Sequence, residues 1–111
     1  MVGREEKEEK QIESKIKLPK EGEVFGYVDE LLGCAMMRVV CSDGKIRLCR
    51  VPGSKRRIIW VRQGDIVLVR PWEVMGDERG DIIDVYTPTE INWLRKKGYL
   101  KELDNILENV F

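Results

Sequence analysis

Apolar residues are sparse at the start of the chain and then recur at two different periods. From Arg4 to Lys10, Glu and Lys alternate with no apolar residue between them. Such a stretch has no stripe to bury, so residues 1–20 read as a flexible charged tail, at most transiently helical through i,i+4 pairs. Pro19 and Gly22 punctuate the approach to the folded part.

From Glu23 to Tyr86 short apolar runs alternate with turn residues, the pattern of strands. Val24–Val28 is the first run, closed by Gly33. Ala35–Cys41 is the second. Ser42-Asp43-Gly44 reads as a hairpin turn, with glycine free to take a positive φ. Lys45–Val51 is the third run and at first alternates polar with apolar, which predicts Lys45 and Arg47 on the face opposite Ile46 and Leu48. Pro52-Gly53-Ser54 opens a longer connection, in which Ile58–Val61 is a candidate further strand. Ile66–Val69 follows and is apolar on both faces. Gly76–Gly80 is a turn, and Asp81–Tyr86 is the last strand. Five strands joined by tight turns and one longer connection fit a small barrel over residues 21–87. The OB-fold is the commonest such barrel and binds oligonucleotides on its second and third strands. An SH3-like barrel has the same periodicity.

The period then changes to that of helices. Thr87-Pro88-Thr89-Glu90 carries a capping-box signature, with Thr as N-cap, Pro at the first helical position and Glu at the third. Gly98 is a natural stop. Leu100, Leu103, Ile106, Leu107 and Val110 recur at helical spacing, which predicts an extension over residues 88–111 that packs on the barrel or offers a partner-binding face. The fold class is therefore mainly β: a five-stranded OB-type barrel with one or two C-terminal helices and a flexible N-terminal tail.

Composition narrows the function classes. The chain has 111 residues, 42% hydrophobic and 36% charged, which suits one core beneath a very polar surface. No apolar run reaches the roughly 18 residues of a membrane span, and Met1–Glu6 has no apolar signal region, so the expected location is the cytoplasm. Three cysteines without a CxxC pair, and no histidine, argue against a disulfide framework or a zinc site. Cys34, Cys41 and Cys49 read as small buried or half-buried thiols. The missing histidine also removes Ser-His and Cys-His pairs, and an enzyme is not expected.

The net charge of zero conceals a partition. Residues 1–37 hold six Lys/Arg against nine Asp/Glu, residues 38–70 nine against two, and residues 71–111 five against nine. The middle third is thus +7 between acidic ends of −3 and −4, and a local field of this kind decides where a polyanion docks. Arg38, Lys45, Arg47 and Arg50 lie on the second and third strands, and Lys55, Arg56 and Arg57 in the loop. With Arg62 they form an expected positive strip. Lys and Arg neutralise phosphates and release counterions, and Arg also stacks on bases. Trp60 is either a ring for a splayed RNA base or a filler of the barrel end.

Laid out this way, the chain resembles the translation initiation factor 1A family, relatives of bacterial initiation factor 1. Three stretches carry the likeness: Ser42–Cys49; Pro52–Val61, with its G-x-[RK]-[RK]-[RK]-x-x-W run from Gly53 to Trp60; and Gly64–Val69 with Asp81–Ile83, Tyr86, Pro88–Leu94 and Gly98–Leu100. The resemblance implies an S1-like OB-fold that binds rRNA at the A site of the small ribosomal subunit. It also implies help in recruiting initiator tRNA and mRNA, alongside other initiation factors. Carried over by position, Arg47, Lys55, Arg56, Arg57 and Trp60 are the implied rRNA contacts; charge and geometry add Arg38, Lys45, Arg50 and Arg62. The short mixed N-terminal tail and the lack of a long acidic C-terminal tail resemble the archaeal form. No cofactor, metal or membrane partner is implied, and a monomer is expected. A general single-stranded RNA binder and a protein-interaction barrel using its C-terminal helix are the alternatives. The first is disfavoured because Ala35–Val51 holds no aromatic residue.

Overall fold

The computed structural model describes residues 16–56 and 58–110. Five strands, β1 (Val24–Gly33), β2 (Met36–Cys41), β3 (Ile46–Arg50), β4 (Ile66–Pro71) and β5 (Arg79–Val85), are followed by helices α1 (Pro88–Lys96) and α2 (Lys101–Val110). The strands close into a barrel in the order β1-β2-β3-β5-β4. Four of the five pairings are antiparallel, and β3 with β5 is parallel. This is the OB-fold, and it decides between the two barrels that periodicity leaves open.

The run Ile66–Val69 is apolar on both faces because both are covered. Ile66 and Leu68 join Phe25, Tyr86, Trp93 and Leu103 in a cluster between barrel and helices. Val67 and Val69 instead join Val28, Val39, Cys49 and Ile82 in a second cluster. Gly26 is required where walls come close: a Cβ there would lie 2.3 Å from Val39 Cγ1. The capping box of α1 is formed, with Glu90 N–H donating to Thr87 Oγ1 (3.2 Å) and Thr87 N–H donating to Glu90 Oε1 (2.9 Å). Gly98 takes φ +83°, as a helix stop requires. Helix α2 buries Leu103 and contacts β1 and β2, so the extension packs on the barrel.

Strand β1 closes at Gly33 as expected, running on past Val28 to reach it. Three expectations are corrected. Ile58–Val61 is not a strand. Cys34 is exposed in the β1–β2 turn, whereas Cys41 and Cys49 are buried, burial pushing the Cys49 thiol up to about 12. The tail boundary at residue 20 also fails: Ile16 is buried against the helix-side cluster, and the Tyr86 hydroxyl donates to the Lys17 carbonyl. The remainder of the expected tail, residues 1–15, lies outside the described residues.

Candidate nucleic-acid interface

The basic residues of the expected strip fall into three groups. The first is a single side chain turned inward. Arg47 is 2% exposed, on the same side of β3 as buried Cys49, while Ile46 is 52% exposed. The expected alternation is therefore inverted, and Arg47 does not belong to a surface strip. Its guanidinium forks onto Asp43 (Nη1–Oδ1 3.0 Å, Nη2–Oδ2 2.8 Å), and its Nε donates to the Gly76 carbonyl at 2.5 Å. Burial, the largest single influence, works against its charge, but the hydrogen bonds and charge interactions with Asp43 and Cys41 together outweigh it and raise the pKa. A buried guanidinium needs such complete pairing, and here it links the β2–β3 turn to the β4–β5 loop.

The second group is on the surface but neutralised by carboxylates from outside the basic middle third. Arg38 pairs with Asp29 (2.9 Å) and Glu30 (2.6 Å), and Lys45 with Asp77 (2.6 Å). Arg50 pairs with Asp81 (3.2 Å) and lies over the Trp72 ring, 5.0 Å from its centroid. Asp81 also accepts from Trp72 Nε1 at 3.0 Å. The acidic ends of the sequence thus fold back onto the basic middle and cancel part of its field.

The third group keeps its charge. Pro52 leads into a single 3-10 turn, Gly53–Lys55, whose backbone delivers the loop cations. Lys55 Nζ donates to the Ile83 carbonyl and Arg56 Nε to the Val51 carbonyl, both at 3.2 Å. These bonds orient the side chains without neutralising them. Neither residue, nor Arg62, has a carboxylate ion-pair partner among the described residues. Arg57, the third loop cation, lies outside the described residues.

Trp60 stands among these charges and is 81% exposed, so it does not fill the barrel end. The segment alternates: Ile59 and Val61 are partly buried against the inner cluster, while Ile58 (77% exposed) and Trp60 face outward. The inward pair anchors an extended segment that has no strand partner. Between this segment and the β1–β2 turn lies a cleft of about 320 Å³, lined by Leu31, Met36, Arg56, Ile59 and Trp60 among others. The exposed Ile58 and Leu31 are companions of the cationic loop that the basic run does not point to. The period-2 pattern of 58–61 is the signal for Ile58; nothing in the sequence sets Leu31 beside the loop.

Strand order and packed helices thus define an OB-fold protein whose unneutralised cations gather with an exposed indole in the loop after β3. Residues 13–108 match the family described as translation initiation factor 1A / IF-1. Translation initiation factor 1A of Methanothermobacter thermautotrophicus is 48% identical over 87 residues, covering 78% of this chain and 88% of the relative. The factor of the same name from Pyrococcus abyssi is 45% identical over 100 residues, covering 86% and 88%. The solution structure of translation initiation factor 1 from the Wolbachia endosymbiont of Brugia malayi aligns at 34% identity with a TM-score of 0.46, covering 60% of this chain and 79% of that one. The chain belongs to the translation initiation factor 1A / IF-1 family.

Proposed function

We propose that this protein binds rRNA at the decoding (A) site of the small ribosomal subunit. There it promotes recruitment of initiator tRNA and mRNA beside other initiation factors. It acts as a cytoplasmic monomer, without cofactor, membrane partner or catalytic step. The observation that carries this reading is the exposed Trp60 ring beside Lys55, Arg56 and Arg62, none of which has an internal carboxylate partner among the described residues. Cations free of internal pairing release counterions when they meet phosphate, and an exposed indole offers a stacking face for an unpaired base. Lys55, Arg56, Arg57, Trp60 and Arg62 form the centre of the proposed contact, with Arg38, Lys45 and Arg50 at its margin. Arg47 is left out because its donors are committed inside the molecule.

Sedimentation tests the reading. The protein should pellet with isolated small subunits near one-to-one and bind free single-stranded RNA much more weakly at the same salt. Equal affinity for both would replace it with a general RNA binder.

A further inference from the structure

Four serines and threonines fall among the described residues, and three of them have a structural setting. Thr87 caps α1, Thr89 lies in the first turn of that helix beside Glu90, and Ser42 is half-buried beside Asp43. Ser54 differs. It is exposed in the 3-10 turn Gly53–Lys55, and its hydroxyl makes no hydrogen bond among the described residues. A serine in a turn ordinarily bonds the backbone of its own turn. Here that structural reason for a serine is missing, and the hydroxyl is left to solvent.

Its neighbours are cations. Lys55, Arg56 and Arg57 follow directly. Lys55 Nζ and Arg56 Nε are held by the Ile83 and Val51 carbonyls rather than by carboxylates, so their charges stay uncancelled. The turn is closed by Lys55 N–H donating to the Pro52 carbonyl at 2.9 Å. One such bond in an exposed loop opens at small cost. An exposed hydroxyl in a segment that can extend, followed by three basic residues, suits an enzyme whose substrate groove is acidic.

We propose that Ser54 is a phosphorylation site that switches the cationic loop off. The donor is a nucleoside triphosphate, brought by a protein kinase that reads the basic residues after its acceptor. The bond from Ser54 Oγ to the γ-phosphorus forms as the bond from that phosphorus to the β,γ-bridging oxygen breaks. The nucleoside diphosphate leaves, and the hydroxyl proton passes to the base of the kinase. A phosphoserine carries about −1.5 to −2 charges at pH 7, so the run Ser54–Arg57 falls from +3 to about +1. The new oxygens also compete for the terminal nitrogens of Arg56, which carry no hydrogen bond among the described residues. The proposal rests on the proposed function, since the contact with rRNA is what the phosphate blocks.

Two measurements test it. The full chain with phosphoserine placed at position 54 should bind isolated small subunits about tenfold or more weakly, with a log–log salt slope lower by about two units. Ser54→Gln, neutral and of similar reach, should leave both unchanged. The protein is also isolated from its own cells, growing and starved, and cut with a protease that spares Lys and Arg. The peptide holding Ser54 should be heavier by one phosphoryl group in at least one state. If that peptide is unmodified in both states, or the phosphoserine protein binds like the unmodified one, the proposal is overturned and the RNA-binding reading stands. If Ser54→Gln weakens binding as much as phosphoserine does, bulk and not charge is the cause, which also overturns the switch. If the unmodified protein fails to bind subunits, the RNA-binding reading falls and the switch falls with it.

Discussion

Arg47 and Asp43 form a forked ion pair in which one partner is almost wholly enclosed and the other is not: the Arg47 side chain is 2% exposed and that of Asp43 30%. The asymmetry decides what each substitution does. Removing Asp43 strands a buried guanidinium, whereas removing Arg47 leaves a carboxylate that water can reach. Asp43→Ala should therefore cost about 3–5 kcal/mol. Arg47→Met, which fills similar volume without charge, should cost only about 1–3 kcal/mol, chiefly from the unpartnered Gly76 carbonyl. Urea unfolding of both variants checks the order. If Arg47 contacted RNA instead, its loss would lower the salt slope of subunit binding, and no such change is expected.

The same pair sets a pH dependence. Burial alone would raise the Asp43 carboxyl, but hydrogen bonds from Arg47 and from the Lys45 amide, with the charges of both residues, hold it below its ordinary 3.8. A carboxyl whose folded pKa is depressed contributes stability above its unfolded pKa and loses it as pH falls through the lower folded value. The stability gap between the native protein and Asp43→Asn should thus be full at pH 7 and shrink below about pH 3.8. Urea midpoints measured at about pH 7 and about pH 3 would reveal a constant gap if the ion pair were not its source.

Much of the fold is legible in the residue pattern, and the failures have identifiable causes. The doubly apolar Ile66–Val69 announces a strand covered on both sides, and Thr87-Pro88-Thr89-Glu90 announces its helix, because these signals are local. The third strand misleads. In Lys45–Val51 the two aliphatic residues Ile46 and Leu48 look like the core and the two cations Lys45 and Arg47 like the surface. The inward positions are instead Arg47, Cys49 and Val51, because Asp43 and the Gly76 carbonyl supply a buried guanidinium with partners. Gly76 lies 29 residues away, and no local pattern reports it. The positive strip is overestimated for the same reason: the carboxylates facing Lys45 and Arg50 are 32 and 31 residues downstream. What the sequence does carry is the Lys55–Trp60 run, whose cations and ring lie together in one loop.

That difference in pairing separates the cations experimentally. Replacing Lys55, Arg56 and Arg57 with Ala should reduce the log–log salt slope of subunit binding by roughly two to three units, near one per phosphate contact. Replacing Arg38, Lys45 and Arg50 with Ala should reduce it by less than about one unit, since each already faces a carboxylate. Equal effects would mean that the internal ion pairs open on binding.

Trp60→Ala should leave stability within about 0.5 kcal/mol of the native protein, because so exposed a ring buries little. Subunit affinity should fall by about 1–3 kcal/mol with an unchanged salt slope. A thermal melt combined with a salt titration separates these outcomes. A large loss of stability would place the ring against the molecule, and unchanged affinity would remove it from the interface.

The anchoring of residues 16 and 17 changes what a truncation should do. Ile16 is buried in the cluster that holds Phe25, Tyr86 and Leu103, and the carbonyl of Lys17 receives the Tyr86 hydroxyl. Deleting residues 1–20, which looks harmless if that whole segment is a tail, removes the aliphatic plug and the only internal hydrogen-bond acceptor found for the Tyr86 hydroxyl among the described residues. Large-to-small changes at buried aliphatic sites cost about 2–5 kcal/mol. Ile16→Ala should fall toward the lower part of that range, since the site lies at the edge of its cluster. Tyr86→Phe removes the hydroxyl and leaves the Lys17 carbonyl free to meet water, at a cost of about 1 kcal/mol. At roughly 4–8 °C of melting temperature per kcal/mol for a domain near this size, deletion of residues 1–20 should lower the midpoint by about 10 °C or more. Deletion of residues 1–15, which spares both anchors, serves as the control. Equal midpoints for the two truncations would show that Ile16 contributes nothing to the core.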